Sequence, residues 1–503
     1  MESRSKNTIR NAAIALAMQI VSVVLSFIGR TVFALLLEKE YLGLGGLFSN
    51  IISVLSLSEL GIGSVIIVNI YKPLAEKDQD RICKLMNFYR TAYQIIGIFV
   101  ICCGIAIVPF LPFLVNSKTE IPFLKGYFIL FIVQSASSYF FAYKQSILIA
   151  SQKEYICSIV RQIFNAVMHI LQIIFLIATR EYITYLLVTI FTNLATNIMI
   201  SMIVDRKYPY LKNNHQTLQK EERKKILANI SSMMLHKVGN VIINSTDNIL
   251  ISSMVGIIFA GLYSNYLLII NTIMQIVTIA FNSVSASIGD FNACKSNEES
   301  MELFKAMNIL SYWIFGMSSI CLITLFQPTI SIWLGTDYLL NTSCVMMIVI
   351  NFFLSGIIRV PATFVDVNGL YTRTKFKPIT MALLNLVISI ACAKLWGLIG
   401  IFIGTFGSYI LVGLWVDPFF LCKYKFLISF TRYLLYLLKN VLLIVVFGVI
   451  TYTIVSFIRN YILKVAICFI LSNLLLAIVY CRTDGFQFIY HRIRNIMRIR
   501  KKG

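Results

Sequence analysis

The chain has 503 residues, 58% of them hydrophobic and only 13% charged, with a formal net charge of +22. A soluble domain carries roughly a quarter of its residues as Asp, Glu, Lys and Arg, and a single soluble core stops growing at about 250–300 residues, so this composition excludes a water-soluble globular protein. The charge does not indicate nucleic acid, because Lys and Arg fall in the short segments between apolar blocks, with alternate segments rich and bare, as the positive-inside rule describes.

Residues 1–10 are basic and precede an apolar run, 11–37, that passes through Arg30. A signal-peptide core is roughly 7–15 residues long, so this run reads as a retained first span. Further apolar blocks follow at 44–70, 91–115, 121–149, 156–178, 182–204, 227–254, 258–282, 306–333, 341–364, 379–395, 398–421, 434–457 and 461–480. Each is close to the ~20 residues that carry a helix across about 30 Å of hydrocarbon. The blocks are continuously apolar instead of alternating with period two, which excludes a transmembrane β-barrel. Short connections make successive helices antiparallel neighbours.

With the N-terminus inside, segments 72–90, 206–225, 373–377, 423–432 and 482–502 carry the cations, while the outer turns at 38–40, 118, 180, 337 and 394 are nearly bare. Segment 292–301 leans acidic and is the one weak inner loop. An even number of spans with both termini cytoplasmic fits this asymmetry. The tail sets Arg492, Arg494, Arg498 and Arg500 among Ile and Met, which suits either a basic helix lying on anionic lipid or plain orientation control.

An internal repeat is visible. Gly46-Leu47-Phe48-Ser49-Asn50 recurs as Gly261-Leu262-Tyr263-Ser264-Asn265, and Lys84, Met86 and Asn87 recur as Lys305, Met307 and Asn308. Duplicated halves of six helices have parallel orientation about an axis along the membrane normal. The expected fold is therefore an all-α polytopic membrane protein of about fourteen transmembrane helices: two pseudo-symmetric six-helix lobes around a central cavity, plus two C-terminal helices. The corresponding division is an N-lobe at 1–204, a cytoplasmic linker at 205–226, a C-lobe at 227–421, helices thirteen and fourteen at 422–480 and a basic tail at 481–503.

Catalytic signatures are missing. There is no phosphate-binding G-x-x-x-x-G-K-[ST], no G-x-S-x-G and no H-E-x-x-H. The eleven cysteines are scattered without zinc-ligand spacing, and the two intramembrane histidines, His169 and His236, have no metal-ligand partner at i+4. A non-enzyme without cofactor or metal is expected.

What the spans do carry is polar residues at helical spacing: Gln19, Ser22, Ser26 and Arg30; Ser49, Ser53, Ser56 and Glu59; Arg161, Asn165, His169 and Gln172; Lys237, Asn240, Asn244 and Asp247; Asn271, Gln275, Thr278 and Asn282; Asn351, Ser355 and Arg359, with Asp366 two turns on. Interhelical hydrogen bonding explains any one such stripe. A charge near the bilayer centre costs about 3 kcal/mol or more, so six stripes containing charges predict a hydrated cavity. Arg30, Lys237 and Arg359 are the candidate cations for an anionic head group such as a diphosphate, with Asn244 and Asn271 as further substrate contacts. Glu59, Asp247 and Asp366 are candidate cavity acids that release cargo or carry a coupling cation. Arg30 can instead snorkel, Asp247 and Arg359 can instead sit in structural ion pairs, Lys144 and Arg161 read as snorkelling at the inner interface, and Lys394 reads as an anchor.

Ser58-Glu59-Leu60-Gly61-Ile62-Gly63-Ser64, then Tyr71-Lys72-Pro73-Leu74 and the polar loop 78–81, form one loose signature. Asp366-Val367-Asn368-Gly369-Leu370-Tyr371, Lys377-Pro378 and Gly397-Leu398-Ile399-Gly400-Ile401-Phe402-Ile403-Gly404-Thr405 form its C-lobe counterparts. Over nearly the whole chain this resembles the bacterial polysaccharide transporters, the Wzx-type oligosaccharide flippases of the multidrug/oligosaccharidyl-lipid/polysaccharide exporter superfamily. The resemblance implies a fold shared with multidrug extruders and the peptidoglycan-precursor flippase, with lobes that rock around a V-shaped cavity. It implies a polyprenyl-diphosphate-linked oligosaccharide as cargo, a monomer in the bacterial cytoplasmic membrane, and a polysaccharide polymerase and chain-length regulator as working partners. Cationic cavity roles carry over to Arg30, Lys237 and Arg359. Two other classes compete: a cation-coupled multidrug antiporter of the same fold, which Glu59 would serve, and a membrane polysaccharide polymerase or ligase, which the lack of a long external loop disfavours.

Overall fold

The computed structural model describes the backbone of residues 2–56, 62–117, 120–211, 217–294 and 297–488, with side chains throughout except at 2–18, 64, 229, 231–240, 244 and 279–294. Every regular element among the described residues is helical. Hydrocarbon offers no partner to a backbone N–H or C=O, so a chain this apolar must satisfy both inside each segment, and the helix does so.

The helices are α1 (Glu2–Leu36), α2 (Lys39–Leu55), α3 (Ile62–Glu76), α4 (Gln79–Ile107), α5 (Leu111–Leu114), α6 (Leu124–Ala142), α7 (Gln145–Ala150), α8 (Glu154–Thr179), α9 (Tyr182–Lys207), α10 (Lys220–Leu250), α11 (Ile257–Cys294), α12 (Asn297–Trp333), α13 (Thr342–Val367), α14 (Lys377–Trp396), α15 (Leu398–Ser408), α16 (Val416–Leu421), α17 (Phe430–Ser456) and α18 (Tyr461–Tyr480). Several begin on side-chain caps at the edge of an apolar run. Asp78 accepts from the Arg81 amide, Asn341 from Ser343, and Asn460 from Ile462 and Leu463, each satisfying donors that a helix start leaves open.

Among the described residues, eleven helical stretches are long and apolar enough to cross a membrane. The three remaining blocks of the expected fourteen differ for separate reasons. The block at 44–70 includes residues 57–61, which lie outside the description, between α2, which ends at Leu55, and α3, described from Ile62. The block at 121–149 is interrupted after Ala142, and α6 carries Lys125, Gln134 and several serines in its 19 residues. The block at 227–254 runs through residues whose side chains lie outside the description, and α10 gives way to a π-helical turn at Ile251–Val255.

The chain divides into two compact units, Met1–Gly261 and Leu262–Gly503. In the first, α3, α4 and α7 close a core around Ile66, Ile70, Tyr89, Ile147 and Leu148. The first turn of α11 crosses the start of α2 at glycine: a Cβ on Gly43 would fall 2.1 Å from the Ile257 carbonyl oxygen, and one on Gly261 2.5 Å from the Lys39 carbonyl oxygen. The Gly46–Asn50 and Gly261–Asn265 repeats lie on α2 and α11, and the second pair of repeated segments lies on α4 and α12.

In the second unit α12 packs against α13, α17 and α18. The burial pattern there is the reverse of a soluble protein's. On α17, Leu435, Leu438, Leu442, Val445 and Val449 are exposed while Asn440 and Thr451 are buried. On α18, Cys468, Ser472, Leu476 and Tyr480, spaced by four, turn inward, and the Tyr480 hydroxyl donates to Asn440 Oδ1 at 2.9 Å. The outer faces are fit for lipid and the inner faces carry the hydrogen bonds. α14 and α15 pack closely, because Gly400 and Gly404 face the Cys392 carbonyl and Ser389; small residues let backbones approach in this way.

Two ion pairs lock helix ends. In the first unit Lys144 Nζ reaches both Asp205 oxygens at 2.7 and 2.8 Å and Ser201 Oγ at 2.8 Å. The ammonium that reads as snorkelling at the inner interface thus has a carboxylate of α9 within its reach. In the second unit Lys377 pairs with Asp417, their side chains 9% and 4% exposed.

The glycine contact predicts that Gly404→Ala forces α15 off the Ser389 backbone and destabilises by about 1–3 kcal/mol. Gly407→Ala, whose Cβ meets only the flexible end of Ile388 at 3.1 Å, stays near wild type; thermal melting of both in detergent separates them. Lys144→Met should lower the melting temperature by stranding the Asp205 carboxylate, a loss on the order of 3 kcal/mol. The double variant with Asp205→Leu should regain most of that loss in the same assay.

Candidate functional site

The polar stripes of the first and fifth spans face each other. α8 packs on both α1 and α9. Gln162 Nε2 donates to Gln19 Oε1 at 2.6 Å, Ser26 Oγ lies 3.0 Å from His169 Nε2, and Gln172 Nε2 donates to Thr189 Oγ1 at 2.8 Å. The Ser26 hydroxyl hydrogen is already given to the Ser22 carbonyl at 2.8 Å. A Cβ on Gly29 would stand 3.8 Å from His169 Nδ1, so the ring lies over the part of α1 that has no side chain. Much of this stripe is thus interhelical hydrogen bonding, worth on average about 0.6 kcal/mol per contact inside a bilayer.

Arg30 stands at the end of this seam, half-buried, one turn past Ser26. Tyr185 and Tyr182 of α9 lie within electrostatic range of its guanidinium. Phe33 packs edge-on against both rings, at centroid distances of 5.0 and 5.9 Å. The Arg side chain is therefore held beside an aromatic wall that the sequence stripes did not reveal. Arg161, by contrast, is exposed and hydrogen-bonds Gln145; Gln162 occupies the inward place instead.

In the second unit, Arg359 on α13 donates from Nη1 to Thr278 Oγ1 of α11 at 3.0 Å. Two expected stripes therefore meet at this contact. Among the described residues Thr278 is its one hydrogen-bond partner and no carboxylate lies within 4.0 Å. A guanidinium has five N–H donors, so Arg359 has donors to spare, and the ion-pair alternative is not realised there. One turn and two turns back, Ser355 bonds its own helix and Asn351 Nδ2 donates to the Phe402 carbonyl at 2.9 Å. Below them Asn385 Nδ2 donates to Thr405 Oγ1 at 2.8 Å and Ser389 Oγ to the Ile401 carbonyl at 3.0 Å, stitching α14 to α15.

The remaining candidates are placed as follows. Asp247 is half-buried on α10, Asn271 is exposed on α11, and Asp366 is exposed in the last turn of α13. Arg359 and Asp366 are seven residues apart on one helix, about 10 Å along its axis. Glu59 and the side chains of Lys237 and Asn244 lie outside the described residues, as does the tail beyond residue 488. Asp417, buried within an apolar span, is the charge that stripe-reading passes over. An acid at that depth signals a partner by its cost alone, and the partner is Lys377. Among the described residues no three His, Cys, Asp or Glu side chains gather as a metal site.

No family model and no curated protein matches this sequence. Solved structures do match. Its fold is similar to that of lipid II flippase MurJ in an inward closed conformation, with a TM-score of 0.65 and 14% identity over 93% of this chain and 99% of that one. It is also similar to an inward-facing multidrug resistance MATE family transporter of the MOP superfamily, with a TM-score of 0.57 and 15% identity over 80% and 97%. A Vibrio cholerae MATE transporter aligns with a TM-score of 0.55 and 14% identity over 82% and 96%. At such identities the likeness establishes architecture: the chain has the all-helical membrane fold that MurJ and the MATE transporters share.

Proposed function

We propose that this protein is a flippase that moves a polyprenyl-diphosphate-linked oligosaccharide repeat unit from the cytoplasmic to the outer leaflet of a bacterial cytoplasmic membrane, by alternating access, for surface polysaccharide export. The observation that carries this reading is Arg359, an intramembrane guanidinium with one hydroxyl partner and unspent donors. An unpaired charge in a span is costly, and a phosphate oxygen pair repays that cost through bidentate, charge-assisted hydrogen bonds. Arg30 and Lys237 are the further candidate cations for such an anion. Asn244 and Asn271 offer amides to the cargo's hydroxyls. Glu59, Asp247 and Asp366 act as acids that loosen the bound anion or carry a coupling cation.

The fold likeness to a lipid II flippase supports a lipid-linked cargo. The likeness to multidrug transporters favours a second reading, a cation-coupled drug antiporter using Glu59, but Arg359 and Arg30 would repel a cationic drug. The working protein in this reading is a monomer with both termini in the cytoplasm. It needs no cofactor, and it hands its cargo to a polysaccharide polymerase under a chain-length regulator.

The test is flipping of a fluorescent polyprenyl-diphosphate disaccharide in proteoliposomes. Arg359→Ala should slow it by about tenfold or more, the loss of a hydrogen bond to a charged group, at unchanged membrane abundance, and Arg359→Lys should retain part of the rate. Equal rates in wild type and Arg359→Ala would remove the cationic site, and efflux of a cationic dye by the wild-type protein would establish the antiporter reading.

A further inference from the structure

We infer that the second unit binds the phosphate of an anionic glycerophospholipid on a shelf of aromatic and cationic side chains where two of its spans end. The site stands whether or not Arg359 meets a cargo phosphate.

The chain brings the shelf together from two segments. Lys377 begins one apolar span and Phe426 ends the next, so the loop before α14 and the π-helical turn Cys422–Phe426 emerge on one side of the bilayer. The charge asymmetry of the chain makes that side cytoplasmic. The buried Lys377–Asp417 pair clamps the two segments to each other. Residues 370–377 and 415–432 hold Arg373, Lys375, Lys377, Lys423, Lys425 and Arg432 against Asp417 alone. Once that acid is paired, every other charge on the shelf is positive.

Cations that only orient a helix need no fixed place, and these have one. Arg373 Cζ stands 4.0 Å from the centroid of the Tyr424 ring, and Lys423 Nζ stands 5.5 Å from the same centroid. Phe420 stacks on Tyr424 at 5.9 Å, and Phe419, 5.7 Å below Lys423, meets Phe430 edge-on at 5.6 Å. Two cations from different segments thereby share one ring and lie within a Debye length of each other, about 10 Å at 0.1 M salt. A cation–π contact holds a charge in place without neutralising it. Among the described residues neither Arg373 nor Lys423 has a carboxylate within 4.0 Å. A guanidinium offers five N–H donors and an ammonium three, and a phosphate beside them meets both through charge-assisted hydrogen bonds.

The neighbouring side chains select a lipid phosphate. Phe376 is 66% exposed with Lys375 Nζ 5.0 Å from its ring centroid. Leu427, two residues past Lys425, is 78% exposed and holds the left-handed backbone at φ +53°. The acyl chains of a phospholipid cover these apolar groups while its head group meets the cations. A soluble anion satisfies the cations only.

The experiment is native mass spectrometry of the full-length protein from detergent micelles, titrated with dioleoylphosphatidylglycerol or dioleoylphosphatidylcholine. Ammonium phosphate and geranylgeranyl diphosphate serve as competitors. Wild type should bind its first phosphatidylglycerol well ahead of phosphatidylcholine, and neither competitor should displace it. Arg373→Gln with Lys423→Gln should weaken that binding by about thirtyfold, the effect of two cations at an anionic surface. Arg206→Gln with Lys207→Gln, which removes two exposed cations from the end of α9, should leave it unchanged. Tyr424→Leu keeps every charge and should cost about fivefold through its two cation–π contacts. That variant decides the matter if the double Gln variant fails to fold. Equal binding of the two lipids, an equal loss in the Arg206 and Lys207 variant, unchanged binding in Tyr424→Leu, or displacement by ammonium phosphate overturns the site. Displacement by geranylgeranyl diphosphate gives the shelf to a diphosphate lipid and overturns the phospholipid assignment.

Discussion

A polar group inside hydrocarbon has no water to fall back on, and this constraint shapes the molecule at every scale. It forces the backbone into helices, because only there are amide and carbonyl satisfied within the segment. It reverses the usual burial pattern, so that α17 and α18 show Leu, Val and Ile outward and turn Asn440, Thr451, Ser472 and Tyr480 inward. It also explains where the helix itself departs from regularity. At Tyr409–Gly413 a π-helical turn interrupts the last part of a span, and the Trp415 indole donates to the Ile410 carbonyl. The disturbance has a named partner, as such departures require in a membrane.

The same constraint sorts the charges. Lys144 with Asp205 and Lys377 with Asp417 are closed accounts: each ammonium meets a carboxylate at contact distance, and the first pair adds a serine hydroxyl. Such pairs fix one helix end against another and leave nothing for a ligand. Arg359 is built differently. Its partner is a single neutral hydroxyl, and a neutral hydroxyl cannot balance a guanidinium. The proposed function rests on this difference between satisfied and unsatisfied charge, not on the +22 total, most of which lies in the segments between apolar blocks.

How much of this could be read from the residues depends on whether the relevant force acts locally. Span positions are local: α13, α14, α17 and α18 lie close to the expected blocks because twenty apolar residues in a row have one comfortable solvent. The membership of the stripes was also legible, as Gln19, Ser26, His169, Gln172, Thr278 and Arg359 all prove to contact other helices or stripe residues. Who meets whom was not. Arg161 and Gln162 are neighbours in the chain, and only the roll of α8 against α1 decides that Gln162 turns inward. Asp417 finds Lys377 across forty residues, a distance that no periodicity encodes. The tyrosines beside Arg30 carry no distinguishing signal in a chain with 25 Tyr and 36 Phe.

Polarity within a span therefore does not by itself mark a site. Asn385–Thr405 and Ser389–Ile401 are polar and buried, and each is explained by the helix it holds. The informative quantity is the donor or acceptor left over when such contacts are counted, weighed by what it costs to leave it unmet. Neutral amides and hydroxyls leave small remainders, on the order of 1–3 kcal/mol when buried without a partner. A guanidinium with spare donors leaves a larger one. The fold keeps such a remainder in place only if something else settles it part of the time, and in the function we propose that something is an anionic head group.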